Sequence, residues 1–75
     1  MWFKAILLDG WPMDNSSEVE IQDPSDENEV LSQIKPLMPS IQQSHRVEMM
    51  RSGERLNLLV RERPNGAVMG HFVSC

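Results

Sequence analysis

Residues 45–74, HRVEMMRSGERLNLLVRERPNGAVMGHFVS, decide the fold. Their clearest signal is Arg55 to Glu62, where Leu56, Leu58 and Val60 alternate with Arg55, Asn57 and Arg61, the period of a strand with one buried face. His45 to Arg51 precedes it, with Val47 and Met49 on one face. Ala67 to Ser74 follows, with Val68 and Phe72 on one face and Ala67, Met69 and Val73 on the other. The joints are turn sequences: Arg51-Ser52-Gly53-Glu54, and Arg63-Pro64-Asn65-Gly66, with Pro preset at the second position and Gly66 free to take positive φ. Three strands joined by two tight turns make an antiparallel meander, whose outer face carries Arg55, Asn57, Leu59 and Arg61.

Upstream of the meander, Asp23-Pro24-Ser25-Asp26-Glu27 reads as a helix start. Asp23 is placed to cap the first amides, Pro24 suits the first helical position, and Asp26 and Glu27 suit the positive end of the dipole. Val30, Leu31 and Ile34 form the apolar stripe, loosely continued by Leu37 and Met38. Pro36 ends the helix near Ile34 or Lys35 after about three turns, and Pro39 to Ser44 connects it to the meander. Glu18 to Gln22 alternates as a short edge strand with Val19 and Ile21 inward, after a polar loop over Met13 to Ser17. Trp2 to Leu8 is a strand apolar on both faces (Trp2, Ile6 and Leu8 on one; Phe3, Ala5 and Leu7 on the other), the pattern of a central or covered strand. Asp9-Gly10 turns the chain, and Trp11-Pro12 leads away. The expectation is one α+β domain over residues 1–75: a small antiparallel sheet with one helix packed on one face. The order is β-β-α-β-β-β, or β-α-β-β-β if Glu18 to Gln22 stays a loop.

With 40% hydrophobic and 24% charged residues the chain is an ordinary globular composition, not a disordered one. At 75 residues it is short of core, and one cysteine allows no internal disulfide, so burial against a partner or a second copy is a natural supplement. The apolar start is too short for a secretory signal or a membrane span, and a lone thiol at Cys75 suits a reducing cytoplasm. Charge is unevenly spread: eight acids against two lysines give residues 1–35 a net −6, while three acids against five arginines give residues 36–75 a net +2, for −4 in all. An acidic surface steers basic protein partners and opposes nucleic acid; the plain alternative is a solvated face.

Little points to catalysis. His45 and His71 have no local signature that would pair them with Cys75, which sits at the last position, and no acyl-transfer elbow, phosphate loop or dinucleotide fingerprint is present. The acids lack calcium-loop order and the histidines lack metal-ligand spacing, so neither metal nor cofactor is expected. Arg46, Arg51, Arg55, Arg61 and Arg63 all lie on the meander, as in a sheet that binds RNA, but no aromatic residue is interleaved with them. Trp11 and the methionines are candidates for an interface, with core filling the alternative for Met49 and Met69.

The acid-led helix DPSDENEVLSQI and the meander VEMMRSGERLNLLVRERPNGAVMGHFV together resemble small immunity proteins of bacterial polymorphic-toxin systems, over Glu18 to Ser74. That resemblance implies an inhibitor in the cytoplasm that covers a toxin's active site; phage-encoded inhibitors of host defence share the size and acidity. The function expected is therefore protein binding rather than catalysis, through Trp11, Asp14, Glu18, Glu20, Asp26, Glu27 and Glu29, against a partner with a basic surface. A homodimer whose sheets pair back to back, and an RNA-binding sheet, are the alternatives.

Overall fold

The computed structural model describes residues 1–42 and 44–75, residues 13–16 by their backbone alone. Strands β1 (Trp2–Leu8) and β2 (Trp11–Glu20) precede helix α1 (Glu27–Ile34), and strands β3 (Arg46–Ser52), β4 (Arg55–Arg61) and β5 (Val68–Ser74) follow it. They form one five-stranded antiparallel sheet in the order β2-β1-β5-β4-β3. The meander is present, but the register of β4 and β5 steps between Val60 and Arg61, so Val68 comes opposite outward Arg61 rather than sharing a face with Phe72, and Met69, expected with Val73, packs against the core. The long-range step is β5 lying beside β1, which puts β5 at the centre and leaves β2 and β3 as edges.

The first hairpin corrects the sequence reading. Asp9 (φ 52°) and Gly10 (φ 82°) both adopt positive φ, the signature of a two-residue type I′ turn, so Trp11 pairs straight back on Leu8. Trp11-Pro12 therefore does not leave the sheet, and the stretch expected as a loop over Met13 to Ser17 belongs to β2. The register steps between Ala5 and Leu7, with Ala5 opposite Ser17 and Phe72, and Leu7 opposite Pro12 and His71. This bulge rephases β1, so Leu8 joins Phe3 and Ala5 in the core, while Ile6 and Leu7 stay outside it.

The helix starts one turn later than expected. Asp26, in extended conformation, is the N-cap: its Oδ1 accepts from the amides of Asn28 (3.1 Å) and Glu29 (3.3 Å). Asp23 instead closes the preceding turn, accepting from the Ser25 amide at 3.1 Å and from the Ser25 hydroxyl. Those two bonds, the hydroxyl first, hold its carboxyl below the ordinary value. The choice follows the glutamate three residues on: Glu29 reaches back to accept from the Gln22 (2.6 Å) and Asp23 (3.3 Å) amides, an arrangement close to a capping box. The eight-residue helix has about two turns rather than three.

Only one face of the sheet is covered. Val30 and Ile34 of α1, with Met38 and Ile41 from the connection that follows, pack onto Phe3, Ala5, Val19, Leu58, Val60 and Phe72. A side chain on Gly70 would sit 2.8 Å from Met38 Sδ and 3.3 Å from Phe72 Cε1, so this bare strand position is what lets Met38 lie flat on the centre of the sheet. His45 is also buried, its Nδ1 accepting from the Gln42 amide at 3.0 Å. In the last turn Asn65, not Gly66, takes positive φ (62°); Gly66 is required because a Cβ there would meet the Arg63 carbonyl oxygen at 3.0 Å. Met49 lies on the covered side but is 49% exposed, because β3 runs beyond the reach of the short helix; it is not core.

Candidate functional site

The face that α1 does not cover is built by alternation and can be read in rows across the strands. One row of directly opposed residues runs Glu18, Lys4, Val73, Asn57, Met50. The next runs Pro12, Leu7, His71, Leu59, Glu48. Trp2 opposite Glu20 begins a third at one corner, and Arg46 opposite Arg61 closes the other. The middle is apolar: Leu7, Val73 and Leu59 are half-buried, and Trp2 (51% exposed), Ile6 and Met50 (51%) add large apolar area around them. The rim is charged, with Glu18, Glu20 and Lys4 on the β2 side and Glu48 and Arg61 on the β3 side. Arg61 Nη2 lies 3.5 Å from Glu48 Oε1, a surface pair worth little to stability.

One polar group sits inside this apolar field. His71 Nε2 and Asn57 Oδ1 are 2.9 Å apart. The ring lies between Leu7 and Leu59, and burial pushes its pKa below the ordinary value, so the neutral imidazole is favoured. The face thus has an apolar centre, one internally satisfied hydrogen-bonding pair and a charged rim. The surface depressions among the described residues are open grooves, such as one of about 410 Å³ lined by Ser40, His45, Glu62, Arg63 and Met69. No group of three or more His, Cys, Asp or Glu among the described residues is arranged to hold a metal ion.

The acidic residues singled out in the sequence do not form one surface. Glu18 and Glu20 lie on the open face beside Lys4 and Trp2. Asp26, Glu27 and Glu29 gather at the start of α1, on the opposite side of the sheet, and each accepts backbone amides: Asp26 caps the helix, Glu29 holds Gln22 and Asp23, and Glu27 Oε2 accepts from Val47 at 2.8 Å. Trp11 is 74% exposed, but it pairs with core-facing Leu8 and so stands at the rim of the covered side. The Asp14 side chain lies outside the described residues. The arginines are likewise divided. Arg46 and Arg61 sit opposite each other, whereas Arg51 lies opposite core-facing Leu56, Arg55 begins β4 and Arg63 lies in the connection between β4 and β5. Met50 is among the methionines expected at an interface, whereas Trp2, Ile6, His71 and Val73 were missed as site residues. Alternation within each strand was the available signal; Val73 and His71 come to this face through the meander, but Trp2 and Ile6 needed the β1–β5 pairing.

No family model, curated protein or solved structure matches this chain. No helix among the described residues is long and apolar enough to cross a membrane.

Proposed function

We propose that this chain is a protein-binding module of inhibitor or immunity type, acting by covering a partner with the open face of its sheet. The observation that carries the reading is the uncovered face itself: Trp2, Ile6, Leu59, Val73 and Met50 are the apolar side chains on it that helix α1 does not cover. Such a face, with branched apolar side chains at its centre, Trp2 at one corner and charge around it, supplies affinity when a partner excludes water from it. Glu18 and Glu20 beside Trp2, on a chain of net charge −4, favour a basic partner and speed its encounter.

The test is affinity capture from lysate of the source organism, with and without nuclease, comparing wild type with Leu59→Asp. Support is one stoichiometric protein that survives nuclease and is lost with Leu59→Asp while the melting transition stays intact. Equal capture by both proteins, or recovery of nucleic acid that vanishes with nuclease and salt, would overturn it.

A further inference from the structure

Strand β3 is an edge, and its free side is self-complementary. The two-residue turn at Gly53-Glu54 makes Ser52 and Arg55 a hydrogen-bonded pair, so Val47, Met49 and Arg51 direct their amides and carbonyls away from β4. The Val47 amide shows this directly, since it donates to Glu27 instead. The amides of Met49 and Arg51 and the carbonyls of all three residues therefore face outward. Of the common edge defences β3 lacks proline, lysine and a bulge across its seven pairs with β4; what guards it is charge at Arg46, Glu48 and Arg51 and the Glu27 carboxylate on the Val47 amide, which leaves the edge at Met49 and Arg51 open.

We propose that β3 pairs antiparallel with β3 of a second copy, about a two-fold axis at Met49, joining two sheets edge to edge. Side chains opposed across an antiparallel pair share a face, so a self-pairing register must centre on a residue. Centring on Glu48 sets that carboxylate against its own copy. Centring on Met49 places the two half-exposed methionines together and sets Arg51 opposite Val47 of the second copy. Four backbone bonds form: Met49 to Met49 in both directions, and Arg51 amide to Val47 carbonyl in both directions. Arg51, exposed and without an ion-pair partner among the described residues of its own chain, then arrives beside the Glu27 carboxylate that holds Val47. A groove of about 350 Å³ lies there, lined by Glu27, Val47 and Glu48 and, further along, by Arg46 and Arg61, which face each other; it leaves room for the Arg51 side chain at its Glu27 end. Centring on Met50 keeps the backbone bonds but forgoes both Glu27–Arg51 pairs.

The interface is separate from the open face, so either proposal can fail alone. The test is sedimentation equilibrium of the full chain from micromolar to millimolar concentration, with hydrogen exchange read at Met49 and Arg51. The mass is expected to rise to that of two chains, with both amides protected only in the dimer. Met49→Pro abolishes dimerisation without touching a bond to β4, and Arg51→Glu raises the dissociation constant about tenfold or more. Trp2→Ala leaves it unchanged. Circular dichroism melting checks that each variant folds, and Arg51→Glu decides if Met49→Pro does not. A mass of one chain at every concentration, or a dimer indifferent to Arg51→Glu, would overturn the proposal.

Discussion

Trp2 and Phe3 are neighbours in β1, yet they should respond oppositely to truncation. Phe3 is fully buried against the helix side, whereas Trp2 is half-exposed on the open face. Phe3→Ala removes a large buried ring and leaves a cavity, a change that costs about 3–5 kcal/mol. At roughly 0.05–0.15 kcal/mol per residue, a chain of this length has a total stability of only about 4–11 kcal/mol. Phe3→Ala therefore removes about a quarter or more of it and leaves a visible unfolded population in mild denaturant. Trp2→Ala removes a larger side chain but no closed packing, and its cost is expected to stay below about 1 kcal/mol. Urea unfolding followed by far-ultraviolet circular dichroism measures both, since each change shifts the midpoint at nearly constant slope. Similar losses for the two variants, or a greater loss for Trp2→Ala, would refute the assignment of the faces.

Three further outcomes follow from the same structure. Asp26→Ala should cost about 1 kcal/mol as the loss of the helix cap, and more than Asp23→Ala, with thermal melting deciding between them. Gly70→Val should destabilise by about 1–3 kcal/mol because its side chain collides with Met38 and Phe72, and adding Met38→Ala should recover part of that loss in a double-mutant cycle. Burial lowers the pKa of His71, so between the unfolded value near 6.5 and the lower folded one the unfolded chain holds more protons. Stability should therefore fall as pH drops from about 6.5 through the folded value, then level off as far as His71 is concerned. His71→Gln should flatten that segment of the curve.

The covered half of the fold was legible because its residues obey local rules. Leu56, Leu58 and Val60 alternate without interruption, and both meander turns carry their turn residues, so β4 and its neighbours follow from sequence alone. The first hairpin was missed although Asp9-Gly10 is a type I′ dipeptide, because the polar Asp14, Asn15 and Ser16 after it look like loop. The Ile6–Leu7 bulge that returns Leu8 to the core depends on partners on both sides of β1 and has no local signature. Asp23 and Asp26 are both sound caps; only the reach of Glu29 separates them. At the site, Asn57, Leu59 and Arg61 were readable as an outward row, and Met50 and His71 join them across the two hairpins of the meander, whereas Trp2 joins them only through the β1–β5 pairing, a contact distant in sequence. Charge was the misleading signal: the acids of residues 1–35 are close along the chain, yet the fold parts Glu18 and Glu20 from Asp26, Glu27 and Glu29.

The central claim is that the open face is the contact surface, and site-specific photo-crosslinking tests it most directly. A photoreactive residue at position 59 probes the centre of that face, and one at position 33 probes the exposed helix on the other side. In lysate of the source organism, position 59 is expected to yield one saturable protein adduct, competed away by unlabelled wild type but not by Leu59→Asp, while position 33 yields none. An adduct from position 33 with none from position 59 would contradict the account and move the contact surface to the helix.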